Sequence, residues 1–338
     1  MPAVIDLHSH VVPPTIIGEI QRDPARFGVG GPAVNGIKVA QRDGNLYWEN
    51  NGRLSLIERE LYDVEAKLAA MDRMRIEVSA LSVAPPTYFY ALSPEAGLRA
   101  SRLSNDGIAQ MVGKYPARLR GMATLPMQDP DAAIAELERV VKEYQFKAVE
   151  LGTSIEGQQL AHPKFRAVLK TIEQLGCFIF AHPYRCSATG GMEGYDFFNT
   201  IGFPLDEVIM VGHLMFSGAL DDLSRLRVLI AHGGGYAPYQ IGRLDCAHRH
   251  RASASIHSKS SPRDLLYRFY FDALTHDPKS LRFLINQVGA DRIALGTDNP
   301  FDMGYSDPLA ELARVPHLTA EERQQICSGT ARALLGEE

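Results

Sequence analysis

Cysteine is scarce. Cys177, Cys186, Cys246 and Cys327 are the only four; no pair has Cys-x-x-Cys spacing, and nothing suggests a disulfide framework or a thiolate metal cluster. Free thiols in a reducing cytoplasm are the expectation. Excess positive charge is also missing. A net charge of −5 and a pI near 6.1 offer no attraction to nucleic acid or to an anionic membrane surface. No apolar run reaches the ~20 residues of a membrane span. Strand-forming residues begin at Ala3, which leaves no room for a charged and then apolar leader. No Gly-x-Gly-x-x-Gly follows the first strand, so a dinucleotide fold is disfavoured. Solenoid repeats, low-complexity tracts and linkers are absent as well. What is there is ordinary globular material, 45% hydrophobic and 22% charged over 338 residues, ample for a full core.

The first strand organises the rest. Ala3-Val4-Ile5-Asp6-Leu7 leads into His8-Ser9-His10. Alternate residues of a strand share a face, so His8 and His10 point together while Ser9 points away. Two imidazoles at a strand end make half a metal site. A second His-x-His, His248-Arg249-His250, falls in a helical stretch. Residues two apart on a helix do not share a face, so this pair is not a ligand pair.

From residue 64 onward, strands and helices alternate. Strands are expected over Val78–Ala84, Gly121–Leu125, Ala148–Gly152, Cys177–Ala181 and Val228–Ala231, near Phe269–Phe271, and over Ile293–Gly296. Helices are expected over Val64–Met74, Ala96–Tyr115, Asp131–Tyr144 and His162–Leu175, with short ones closing the chain. Asp129-Pro130 reads as an N-cap with Pro at the first helical position, and Thr319-Ala320-Glu321-Glu322 as the start of the last helix. Near-continuous apolar strands joined by helices mean a parallel sheet, and eight such units mean a closed TIM-type (β/α)8 barrel in the α/β class. Two stretches break the rhythm. Residues 11–62 form a small cap with a hairpin, Ile37 to Ala40 against Leu46 to Trp48, turned at Asp43-Gly44. Residues 184–202, rich in Gly and aromatics, follow strand five. Both insertions follow strands, so both should cover the same mouth. Residues 1–338 therefore read as one domain.

Five polar residues stand at strand ends: His8 and His10 on strand one, His182 on five, His232 on six and Asp298 on eight. In a barrel those ends share one mouth, where catalytic groups collect. Any one of them has a packing explanation. Together they do not, because each buried imidazole or carboxylate needs its desolvation offset. His8, His10, His182 and Asp298 are the metal ligands in this reading. Three nitrogens and one carboxylate suit Zn²⁺, with Mn²⁺ or Fe²⁺ as alternatives. The alternative for Asp298 is to act mainly as a base toward a metal-held water. His232, followed by Gly233-Gly234-Gly235, is the general acid/base, the glycines letting backbone approach the substrate. Strand four ends without lysine and carries Glu150, read as a structural barrel residue, so one metal is expected rather than a lysine-bridged pair.

Longer runs carry a resemblance. Arg59-Glu60 before Asp63, Ala231 through Arg243, Tyr270 through Pro278, and Asp298-Asn299-Pro300-Phe301 resemble segments of the 2-amino-3-carboxymuconate-6-semialdehyde decarboxylase family of the amidohydrolase superfamily. The resemblance covers nearly the whole chain. It implies a single-metal barrel that removes a carboxylate from a small acid without an organic cofactor, as a homodimer. Arg59 would hold substrate within its own subunit, and Arg243 would reach the neighbour's site. Phe301, Tyr184 and Arg185 join them as substrate-binding residues. At the last two positions the family has Trp-Asp, so this chain adds a cation beside His182-Pro183. A guanidinium grips a carboxylate bidentately, which suits such a substrate. The expected reaction is non-oxidative decarboxylation of an unsaturated or ortho-hydroxyaromatic acid. The rivals are a hydrolase of an amide, lactone or C–C bond and a hydratase, since the same metal and water would serve each.

Overall fold

Aliphatic strands end at polar residues, helices begin at capping residues, and the alternation builds one parallel sheet. The computed structural model describes residues 3–27, 38–50, 53–186 and 190–337. Eight strands lie in chain order: β1 (Ile5–Val11), β2 (Val78–Val83), β3 (Leu119–Ala123), β4 (Ala148–Gly152), β5 (Phe178–His182), β6 (Arg227–Ile230), β7 (Phe269–Asp272) and β8 (Ile293–Ala294). The ring closes between first and last. Leu7 N donates to Leu295 O at 3.0 Å, Asp298 N to His8 O at 2.8 Å, and His10 N to Asn299 O at 2.9 Å. This is the expected (β/α)8 barrel.

Apolar packing sorts into three clusters. Ile5, Leu7, Val78, Ala80, Met122, Phe178, Phe180 and Leu229 fill the barrel interior, joined by Ala331 and Leu334 of the final helix. A larger cluster joins the outer faces of the strands to the helices. Full burial of each large side chain contributes roughly 1.5–3 kcal/mol. The pairing of β1 with β2 shifts register between Asp6 and Ser9, so Leu7 and His8 together face Ala80. That bulge lets Leu7 pack inward without turning His8 or His10 away from the mouth.

Helix starts follow the sequence closely. Asp129 caps Pro130–Tyr144 by accepting from Asp131 N and Ala132 N, and Thr319 with Glu322 forms a capping box. Each such cap stabilises by about 1 kcal/mol. Some boundaries differ. β3 starts two residues earlier than expected because Leu119 already pairs with Ser79. β5 extends to include His182. β8 is two residues long, and Leu295 to Asn299 continue it through single bonds to β1.

The cap is more than a hairpin. Lys38–Arg42, Asn45–Asn50 and Arg53–Leu56 form a three-stranded antiparallel sheet; Ile37, the expected start of the hairpin, lies outside the described residues. A helix, Pro14–Arg22, precedes the sheet and buries Ile16, Ile17 and Ile20. These residues, with Phe27, Ile57 and Leu61, form the third cluster, against which Phe89, Leu92 and Phe301 pack. After β5, Phe203–Phe216 is a further helix that the sequence reading did not anticipate. Among the described residues no helix is long and apolar enough to cross a membrane.

Candidate metal centre

The barrel closure brings His8 and His10 of β1, His182 of β5 and Asp298 after β8 together. One ligand atom from each lies within 4.8 Å of the others, and all four residues are buried. Each imidazole has its outward nitrogen fixed. His8 Nδ1 meets Asp272 Oδ2 at 2.6 Å, His10 Nδ1 meets Val83 O at 3.1 Å, and His182 Nδ1 meets Pro183 O at 2.7 Å. These oxygens only accept, so each Nδ1 carries a proton and each Nε2 faces inward toward the others.

The donor set fits a divalent cation. His8 Nε2 and His10 Nε2 stand 3.1 Å apart, with Asp298 Oδ1 at 3.2 and 3.1 Å from them. Lone pairs so close repel unless a cation lies among them. His182 Nε2 and Asp298 Oδ1 are buried without a hydrogen-bond partner, an arrangement a metal relieves. Burial pushes His10 down to about 4. Burial and the neighbouring imidazoles push His182 well below the usual histidine range. Both are therefore neutral, as ligands must be. His8 is the exception: against burial, Asp298 and Asp272 raise it well above the usual histidine range, and against burial its attraction in turn holds the Asp298 carboxyl well below the usual carboxylate range, so positive charge is favoured at this point. The His8–Asp272 contact is the carboxylate–histidine pattern that orients metal ligands. Asp272 Oδ1 also accepts from Gly233 N at 2.8 Å, tying the centre to the loop after β6.

That loop presents His232. Its backbone is left-handed at φ 51°, as is Asp298 at φ 58°, a conformation uncommon outside glycine and costing about 1–3 kcal/mol. His232 Nδ1 meets Glu207 Oε1 at 2.6 Å, leaving Nε2 facing the mouth 4.0 Å from Asp298 Oδ2. Burial raises the Glu207 carboxyl to about 7 against the pull of His232. Burial opposes charge on His232, yet Glu207 lifts its pKa above the usual value. The glycines work differently from expectation. They do not line the pocket. A Cβ at Gly234 would lie 2.6 Å from the Phe271 ring, and one at Gly235 would meet Pro204 O at 2.3 Å and Glu207 Oε2 at 2.8 Å. They make room for the scaffold of His232 rather than for substrate.

A cavity of about 600 Å³ opens above the tetrad, lined by His182, His232, Asp298, His276, aromatic residues including Phe27, Phe89, Tyr90, Tyr184, Phe203 and Phe301, and Arg185. Of the expected substrate residues, Tyr184, Arg185 and Phe301 line it. Arg59 and Arg243 do not. Arg59 is exposed and pairs with Asp63 at 2.5 Å, and Arg243 is exposed on the helix Ala237–His250. Arg185 lies 3.4 Å from Glu156 and 5.6 Å over the Tyr184 ring. Glu150 is buried in the barrel, 3.6 Å from His10 Nδ1, and burial pushes its carboxyl well up. A neutral carboxyl there is consistent with a structural residue. His248 bonds Ser258 O, away from the centre.

Sequence reading missed Glu207 and the role of Asp272. Glu207 follows Pro204 at a helix start, a legible signal, but nothing local links it to His232. Asp272 ends a strand as the other site residues do, and that regularity could have flagged it.

The amidohydrolase family model matches residues 5–336. The chain is 27% identical to a 2-amino-3-carboxymuconate-6-semialdehyde decarboxylase from Dictyostelium discoideum, over 98% of this chain and 91% of that protein. It is 28% identical to a gamma-resorcylate decarboxylase from Polaromonas sp., over 82% of this chain and 89% of that protein. Among solved structures, a 5-carboxyvanillate decarboxylase from Novosphingobium aromaticivorans, complexed with manganese and 4-hydroxy-3-methoxy-5-nitrobenzoic acid, superposes with a TM-score of 0.82 at 19% identity. That alignment covers 99% of this chain and 97% of that one.

Proposed function

This chain belongs to the amidohydrolase family, and on that premise we propose that it is a metal-dependent carboxy-lyase removing CO₂ from an unsaturated or ortho-hydroxyaromatic acid. The carrying observation is the juxtaposition of the His8, His10, His182, Asp298 tetrad with the Glu207–His232 pair at the floor of one aromatic-lined cavity. The relatives matched over most of the chain are named decarboxylases, which favours this reaction over the hydrolase and hydratase alternatives.

A divalent ion held by His8, His10, His182 and Asp298 would supply Lewis-acid stabilisation of negative charge on the substrate's oxygens. The chain's own residues do the rest. Phe301, Tyr184 and Phe203 line the cavity and offer apolar ring faces to an unsaturated acid. The bond from carbon to the carboxylate breaks, CO₂ departs, and the electron pair left on carbon takes up a proton. His232 Nε2 faces the cavity and is the group placed to deliver it. Glu207 fixes the tautomer and stabilises the imidazolium between proton transfers.

One ion per chain follows from the four donors. Zn²⁺ suits three nitrogens and one carboxylate, and Mn²⁺ is the alternative suggested by the manganese-bound relative. We further read residues 1–338 as one catalytic unit working as a cytoplasmic homodimer, with Arg59 serving its own substrate and Arg243 the partner's pocket. In support, Arg243 is exposed and lies outside its own cavity.

The test offers unsaturated semialdehyde acids and ortho-hydroxybenzoates beside amides and lactones to protein of known metal content. The acids should release CO₂, and chelation should stop it. Inert acids with an efficiently hydrolysed amide or lactone would overturn the decarboxylase reading. For the dimer, mixing His232→Ala with Arg243→Ala chains should restore activity, and a fully active monomer by sedimentation refutes it.

A further inference from the structure

Lys67 is fully buried on the helix Val64–Met74. Its Nζ lies 2.9 Å from His10 O, 2.7 Å from Asn299 Oδ1, 3.2 Å from Asn299 O and 3.1 Å from Ser9 Oγ. Three of these oxygens only accept, so the protons of the amino group all have partners, charged or neutral. Among the described residues no carboxylate lies within ion-pair distance of Nζ. Burying an ammonium costs several kcal/mol unless its hydrogen bonds are complete. Methionine, of similar length and volume, would fill the same space without that cost. The side chain is therefore explained by what it bonds, not by what it fills.

What it bonds is the barrel seam at the depth of the metal centre. His10 supplies one ligand, and Asn299 directly follows another, Asp298. These strands join there outside any regular ladder, through His10 N to Asn299 O and Asp298 N to His8 O, and Asp298 holds a left-handed backbone at φ 58°. The Lys67 amino group bridges the His10 carbonyl to both oxygens of Asn299, fixing one ligand-bearing strand against the other.

We infer that Lys67 is a positioning residue for the metal centre, setting the separation and orientation of His10 and Asp298 by clamping β1 to the chain after β8. The inference rests on the metal-centre reading above. Deleting an outer partner of metal ligands weakens metal binding about 10–100-fold, and the same range is expected here.

The experiment measures divalent-metal affinity by chelator competition and apo-protein melting for native chain, Lys67→Met, Asn299→Ala and the double variant. Native chain should bind the ion. Lys67→Met should bind at least about tenfold more weakly, Asn299→Ala more weakly by a smaller factor, and the double variant no more weakly than Lys67→Met, because both act through one contact. A native chain that binds no ion refutes the metal reading itself. Native binding with affinity within twofold in folded Lys67→Met overturns the positioning role, even if apo melting falls. Should Lys67→Met not fold, unchanged affinity in Asn299→Ala overturns it equally.

Discussion

Two carboxylate–imidazole pairs sit side by side in the mouth of this barrel. Asp272 holds His8 Nδ1 at 2.6 Å, and Glu207 holds His232 Nδ1 at 2.6 Å. In both pairs the carboxylate is fully buried. The rings lie 5.4 Å apart. Their destinations differ because of what each Nε2 meets. His8, inside a strand, presents Nε2 to His10 and Asp298 and is sealed from solvent. His232, two residues past its strand in a left-handed turn, presents Nε2 to the cavity. In the function proposed above, the same contact prepares a ligand in one place and a proton carrier in the other. Backbone geometry, not side-chain chemistry, divides the labour.

The harshest way to break the comparison is to remove the tetrad. His8→Ala or Asp298→Ala should strip the bound ion and leave no activity above background, as read by elemental analysis and CO₂ release. His248→Ala should change neither. Two tightly bound ions per native chain would instead contradict the mononuclear arrangement and bring Glu150 back as a ligand.

The next test separates the pairs. His232→Ala should lower kcat by about 10²–10⁴-fold, the usual scale for a general acid/base, with metal content unchanged. Loss of metal in that variant would place His232 among the ligands and dissolve the distinction.

Exchanging the two carboxylates for amides sharpens it. Asp272→Asn should weaken metal affinity about 10–100-fold, because His8 loses its orienting acceptor. Glu207→Gln should leave metal affinity alone and lower kcat by about tenfold or more through the tautomer and charge of His232. Equal losses of metal in both would mean the pairs share one task.

The contrast also explains what the sequence could carry. His8, His10, His182, His232 and Asp298 were legible because each ends an apolar strand, and a barrel gathers strand ends whatever the chain between them. Asp272 follows the same rule but reads locally as a turn residue. Glu207 and Lys67 follow no such rule. Each stands on a helix among other charged residues, and only the tertiary packing turns it inward. The cap sheet was half legible, since Asp43-Gly44 marks one turn and the return strand Arg53–Leu56 has no comparable signal. Arg59 came from resemblance alone, and its exposed pairing with Asp63 is a contact that the motif did not convey.

The smallest expected effect lies at the cavity rim, where Arg185 supplies the cation. A substrate anion meeting it competes with Glu156, 3.4 Å from the guanidinium, and both side chains are more than a third exposed. Solvent screens such a pair, and exposed pairs contribute only about 0–1 kcal/mol, a few-fold at most in KM. Charge at this rim should therefore separate acids by their second anionic group without touching the chemistry below. Glu156→Gln removes the competitor and should lower KM a few-fold for a dianionic acid. Arg185→Gln should raise that KM by a similar factor. Neither should shift kcat, metal affinity or the KM of a monoanionic ortho-hydroxybenzoate by more than about twofold. Steady-state kinetics with a matched pair of acids, one bearing a second carboxylate, makes the measurement. Equal KM shifts for both acids would mean that Arg185 grips the carboxylate being lost, which would move substrate recognition from the metal floor to the rim.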